Sequence, residues 1–145
     1  MNDIFRIIDA NLNRSREGLR VCEDITRFVL NSPELTKRLK RVRHGISDIA
    51  KKYCLTNIGM ISVSRNSNDD VGRVSRLQGE LKRLDVFDIF AANIERAKES
   101  LRVLEEFSKL LDKKESVKFS SMRFEAYDIE KRTAKKIEVL RDHRH

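Results

Sequence analysis

The chain contains one helical segment written twice. Residues 10–23 read A-N-L-N-R-S-R-E-G-L-R-V-C-E and residues 92–105 read A-N-I-E-R-A-K-E-S-L-R-V-L-E, identical at eight of fourteen positions with an offset of 93 − 11 = 82. A second echo sets Val42-Arg43-His44 with Asp48-Ile49 against Met122-Arg123-Phe124 with Asp128-Ile129, at an offset of 122 − 42 = 80. The helix that follows is therefore duplicated as well, and the second copy has lost two residues in its turn. A repeat that served packing alone would need only its apolar period to recur. Identity at Asn, Arg and Glu asks for a chemical reason.

The repeat predicts an all-α fold: two internally repeated helical hairpins packed about a pseudo-twofold axis as an antiparallel bundle, with a central functional loop. At 145 residues one domain suffices, with repeat 1 at about 3–54, the loop at about 55–78 and repeat 2 at about 79–142. Ile4, Ile8, Leu12, Leu19, Cys22 and Ile25 keep a helical period, giving a first helix from Asn2 or Asp3 to Leu30. Ser32-Pro33-Glu34 reads as an N-cap with proline at the first helical position, opening a helix to about Lys52. The second copy predicts a helix over about Asp85 to Leu111, a turn at Asp112 to Glu115, and a last helix from Ser116 to about Arg141 whose charged end projects or frays. Leu55 to Val63 forms an apolar lead-in to a polar loop, S-R-N-S-N-D-D-V-G-R-V-S-R, at Ser64 to Arg76.

On a helical wheel Asn11 and Arg14 fall inside the apolar stripe, and Asn93 and Arg96 repeat the placement. A buried guanidinium demands a carboxylate or an anionic ligand. Glu17 and Glu99, three residues on, could be that partner, which leaves a structural Arg–Glu pair beside a hydrogen-bonded Asn. The functional account has Arg14 and Arg96 directed into a shared interior cavity and gripping phosphate bidentately. Gly18 and Ser100 then keep the neighbouring turn small enough for something to approach, and Arg65, Asp70 and Gly72 bring the loop's chemistry. Arg20 and Arg102, with Glu23 and Glu105 three residues later, read as solvent-face ion pairs. Arg43 and Arg123 are further candidates for inward-facing cations. Phe87 and Phe90 are candidates for core packing or for a dimer interface.

The remaining signals narrow the class. A net charge of +8 favours a polyanionic partner, either nucleic acid or a phosphorylated small molecule. No apolar run reaches the roughly 18 to 20 residues of a membrane span and Met1 to Arg6 lacks a signal layout, so the expected location is cytoplasmic. Cys22 and Cys54 have no metal-type spacing, and Cys22, aligned with Leu104, reads as a core hydrophobe. His44, His143 and His145 form no ligand cluster. No Walker-type or kinase-type glycine loop is present.

Taken together, I-I-D-A-N-L-N-R-S-R-E-G-L-R-V-C-E-D, the loop R-N-S-N-D-D-V-G-R and A-N-I-E-R-A-K-E-S-L-R-V-L-E-E resemble, in that order, the small hydroxymethylpyrimidine phosphate kinase family of thiamine biosynthesis. Its members stand alone or precede thiamine phosphate synthase as a fused domain. The family's motifs fall on Asp9, Asn11, Arg14, Glu17, Gly18, Leu19, Arg20 and Glu23; on Arg65, Asp70, Val71 and Gly72; and on Asn93, Arg96, Glu99, Leu101, Arg102 and Glu105. Ser100 departs from the alanine of many members, and the Asp69-Asp70 spelling leaves open which is the equivalent acid, adjacency to Val71-Gly72 favouring Asp70.

The resemblance implies phosphoryl transfer from ATP, with Mg²⁺, to 4-amino-5-hydroxymethyl-2-methylpyrimidine phosphate. The nucleophile is a phosphate oxygen, ionised near neutral pH with a second pKa of about 6, so no general base is needed. Arg14, Arg96 and Arg65 are expected to grip phosphate and the transferring group. Asp70, with Glu17 and Glu99 as alternates, is expected to hold Mg²⁺. Asn11 and Asn93 read pyrimidine or adenine edges, with Gly18, Gly72, Arg43 and Arg123 completing the binding set. Thiamine phosphate synthase is the expected functional partner, and a homodimer stays open. The rival reading is a non-catalytic helical module that binds a phosphate ligand or nucleic acid; nucleic acid is disfavoured because acids are mixed throughout the basic surface and no aromatics are interleaved.

Overall fold

The apolar period that runs through each half of the chain is satisfied by four helices. The computed structural model describes residues 2–64 and 85–143, of which 54–64 and 143 are described by their backbone. Helix α1 spans Asn2–Asp24 and passes into a π-helical turn, Ile25–Val29; α2 spans Pro33–Ser64, α3 Val86–Ser108 and α4 Lys113–His143. The fold is all-α, with no strand among the described residues. Helix α1 packs on α2 and α3, α3 packs on α4, and α2 meets α4, closing a four-helix ring around one core. Leu19, Leu39, Ile46, Ile94, Leu101, Leu104 and Phe119 are wholly shielded in that core.

Helix ends follow from local hydrogen-bond needs. The Ser32 hydroxyl accepts from the Leu35 amide at 3.3 Å, capping α2 ahead of Pro33 as the sequence predicts. Asp85 caps α3 through the amides of Phe87 and Asp88, both at 2.9 Å, while the Asp88 carboxylate accepts from the Asp85 amide. Asp112 accepts from the Lys114 amide at 2.9 Å, so α4 begins at Lys113 rather than Ser116 and Glu115 lies in its first turn.

The two turns differ by the two residues that separate the offsets 82 and 80. The first is wide: the Leu30 amide reaches the Ile25 carbonyl at 3.0 Å, the Ser32 amide reaches that of Thr26 at 2.9 Å, and Asn31 takes a left-handed φ of 50°. The second is tight, with the Leu111 and Asp112 amides both on the Ser108 carbonyl at 3.0 and 2.8 Å.

Two expectations are corrected. Helix α2 continues to Ser64, so the stretch Leu55 to Val63 is helical and not a loop lead-in; its β-branched residues and Gly59 lower helix propensity, but extending an established helix costs little per residue. The end of α4 does not fray: Thr133 and Ile137 are buried, the Arg141 guanidinium lies over the Phe87 ring at 5.5 Å, and it reaches Asp85 at 3.5 Å. Phe87 and Phe90 are buried and belong to packing rather than to an exposed interface.

Helices α1 and α3 run antiparallel and touch closely. The Cys22 thiol lies 3.7 Å from the Phe90 carbonyl, and a Cβ at Gly18 would stand 2.8 Å from the Asn93 carbonyl oxygen. At Gly45 a Cβ would meet, at the same 2.8 Å, only the terminal methyl of Met122. Gly18→Leu is therefore expected to lower stability by about 2 kcal/mol or more, because backbone cannot yield. Gly45→Ala is expected to be neutral or to stabilise by up to about 1 kcal/mol, since the Met122 side chain can turn away and helix propensity improves. Urea unfolding midpoints of the two variants check the contrast.

Candidate functional site

The repeated polar residues divide into two groups by what neutralises them. In the first hairpin Glu23, buried on α1, accepts from Arg43 of α2 through two hydrogen bonds, Nε to Oε2 at 2.7 Å and Nη2 to Oε1 at 3.2 Å. In the second, buried Glu105 of α3 accepts from Nε of Arg123 on α4 at 3.0 Å. Hydroxyls repeat the scheme: Thr26 and Ser108 each donate to the carbonyl of the glutamate three residues before, at 3.0 and 3.3 Å. Arg43 and Arg123 are thus partly inward-facing, as expected, but each already has its anion. Their role is to tie the two helices of a hairpin together.

This corrects the reading of Glu23 as a solvent-face partner of Arg20. Arg20 reaches Asp24 at 3.9 Å instead, whereas Arg102 does meet Glu105, at 3.0 Å, and also Glu106 at 3.1 Å. The signal was in the sequence, because Glu23 and Glu105 recur at one offset and Arg43 and Arg123 at the other.

The second group lines the seam between α1 and α3. Asn11 and Asn93 are buried, and each Nδ2 donates to the carbonyl four residues back, Ile7 and Ile89, both at 2.8 Å. Gly18 sits where α1 meets the Asn93 carbonyl, so what approaches this small residue is the α3 backbone itself. Ser100, also buried, turns its hydroxyl to the Arg96 carbonyl.

One turn before Gly18 is Arg14, and one turn after Asn93 is Arg96; with the helices antiparallel, both steps lead the same way along the seam. Arg14 is exposed and Arg96 half-buried, so they stand at the rim of the seam and not in an interior cavity. Glu17 and Glu99 are exposed beside them. Among the described residues Arg14 makes no ion pair, so the alternative of a structural Arg14–Glu17 bridge is not formed. Arg65, Asp69, Asp70, Val71 and Gly72 lie outside the described residues.

Other charged groups have local explanations. Lys98, buried on α3, is held by Glu95 and Glu130, each at 2.7 Å, and lies 4.4 Å from the Tyr127 ring centre. Arg38 ties α2 to α4 through Glu125 and Asp128, both at 2.7 Å. Burial pushes the Cys22 thiol far above its ordinary range, which suits the packing role read from sequence and leaves it unreactive. A groove of about 320 Å³ between α2 and α4, lined by Glu34, Leu35, Asp128, Lys131, Arg132, Lys135 and Lys136, contains none of the repeated seam residues. No helix of the described residues is long and apolar enough to cross a membrane.

The sequence model of the ThiD2 family matches residues 6–132. The chain is 36% identical over 124 residues to a thiamine-phosphate synthase of Rhodopirellula baltica, covering 86% of this chain and 32% of that protein. It is 36% identical over 127 residues to one from Synechocystis sp., covering 88% and 35%, and 35% identical over 127 residues to one from Nostoc punctiforme, covering 88% and 34%. The chain spans about a third of the length of these relatives. No solved structure matches it.

The division of the arginines is testable without knowledge of any substrate. Arg43→Ala leaves Glu23 buried and unpaired and is expected to cost about 2 to 3 kcal/mol, the lower side of the range for broken buried pairs because Arg43 keeps some exposure. Arg14→Ala is expected to change stability by less than about 0.5 kcal/mol. Chemical denaturation of both variants measures the difference.

Proposed function

The chain belongs to the ThiD2 family, and from that membership we propose that it is an ATP-dependent kinase that converts 4-amino-5-hydroxymethyl-2-methylpyrimidine phosphate to its diphosphate in thiamine biosynthesis. The relatives that share its sequence are thiamine-phosphate synthases, enzymes that such a product would supply. The observation that carries the reading is Arg14: it stands exposed at the seam with no ion pair among the described residues, on the same side as Arg96. An arginine kept unneutralised beside a second one is a fork for phosphate oxygens.

In the proposed reaction a phosphate oxygen of the substrate attacks the γ-phosphorus of ATP, the bond to the β-phosphate oxygen breaks, and ADP leaves. The attacking oxygen is already ionised, so the chain's contribution is alignment and charge neutralisation. Arg14 and Arg96 hold the substrate phosphate and the transferring group, with Arg65 as the third cation. Among the described residues no three His, Cys, Asp or Glu side chains converge on a metal. A Mg²⁺ needs only one or two carboxylates from the protein, since it keeps several of its waters. Exposed Glu17 and Glu99 are the described candidates, with Asp70 the third. When bound through these carboxylates the ion would supply neutralisation of phosphate charge.

The test is an assay of diphosphate formation from the monophosphate with ATP and Mg²⁺. Arg14→Ala and Arg96→Ala are each expected to lower kcat/KM about a hundredfold, equivalent to roughly 2.7 kcal/mol. The unphosphorylated pyrimidine should turn over far more slowly, because one arginine grip then has no ligand. Binding of the monophosphate without any turnover would identify a non-catalytic module instead.

A further inference from the structure

The outer face of α4 carries large apolar side chains that lie outside the core, although Arg123 lies over the Phe124 ring at 4.9 Å and Lys98 over that of Tyr127 at 4.4 Å. Val117 and Phe124 are 70% and 61% exposed and lie two turns apart on one face, with Leu110 ahead of them at 67% and Tyr127 after them at 46%. At the equivalent positions of the twin helix α2, at an offset of 80, stand Lys37, His44 and Ser47, polar residues of which Lys37 and His44 are likewise exposed. Helix packing therefore tolerates polar groups here, and the apolar stripe on α4 needs another explanation.

The stripe is self-complementary. Between Val117 and Phe124 lie Ser120 and Ser121, small residues that allow a second helix to come close. Lys113, one turn before Val117, and Asp128, one turn after Phe124, continue the same face. If a second α4 is laid antiparallel with its Ser120-Ser121 against the first, Val117 of each copy falls opposite Phe124 of the other. Lys113 falls opposite Asp128, and Lys114 opposite Tyr127. Every contact occurs twice, the requirement of a twofold interface. Asp128 is anchored by Arg38 and Arg132 at 2.7 and 3.0 Å, whose hydrogen bonds hold its carboxyl below the usual carboxylate range, and with its side chain 45% exposed it is open to a further cation. On α2 the corresponding face presents Lys37, Lys40, Arg41 and His44, which would repel its own copy.

We propose that two copies of the chain associate through an antiparallel contact of their α4 helices centred on Ser120 and Ser121. The repeated seam of α1 and α3 takes no part in the contact.

Sedimentation velocity of the full chain over a concentration series tests this. A concentration-dependent dimer is expected, weaker at high salt because two lysine–aspartate pairs contribute. Phe124→Glu and Val117→Lys, the latter copying the residue type of the twin helix, should each raise the dimer dissociation constant by about tenfold or more with unchanged melting temperature, since neither side chain is in the core. His44→Glu on α2 should leave the equilibrium unchanged. In a Cys54→Ser background, Ser121→Cys should give a covalent dimer on mild oxidation with diamide, while His44→Cys should not. A monomer up to about 100 µM, or a dimer indifferent to Phe124→Glu and Val117→Lys, overturns the proposal.

Discussion

The close approach of α1 and α3 at Gly18 and Asn93 governs the rest of the structure. A side chain at Gly18 would collide with backbone, so its absence lets two helices come near enough that the buried amides of Asn11 and Asn93 turn back onto carbonyls of their own helices, those of Ile7 and Ile89. The same closeness leaves no room for a guanidinium between the helices. Arg14 is displaced to the rim, where it faces water and whatever water carries. One missing methyl group thereby converts what reads as an interior arginine into a surface one.

Arginine carries three different duties here, and the neighbouring carboxylate decides which. Where a buried glutamate stands one helix away, as at Glu23 and Glu105, the arginine becomes a structural tie whose removal would strand a charge. Where two acids lie on the opposite hairpin, Arg38 becomes a strap across the bundle. At Arg14, which has Asn11 and Gly18 along the seam and makes no ion pair among the described residues, the charge remains available. The duplication supplies each duty by residue type, and the packing distributes the acids.

Much of this was legible in the sequence, and the failures have physical causes. The repeat gave the all-α class, the hairpin plan, the Ser32-Pro33 start of α2 and the extra residues in the first turn. Helix α2 was read too short because propensity was weighed where an existing helix only had to continue. The burial of Arg14 was misjudged because a wheel treats a helix as an isolated cylinder and cannot show that α3 already fills the arc beside Gly18. Glu115 illustrates a signal overlooked: the offset of 80 places it at the position of Leu35, a core residue, and it is buried, with Lys52 on one oxygen at 2.7 Å.

The wide turn after α1 shows how two repeats of unequal length can share one packing scheme. Two residues inserted between paired helices would ordinarily turn everything downstream by about 200° and slide it by about 3 Å, and every inter-helix contact would be lost. Here the surplus is absorbed at the hairpin tip, where hydrogen bonds reach one and two residues further back along the chain than in an α-helix. Glu23 still finds Arg43 as Glu105 finds Arg123. The duplicated halves can therefore change length at their tips while inheriting the same chemistry in their middles. Length varies at the one place where it disturbs nothing that the two repeats share.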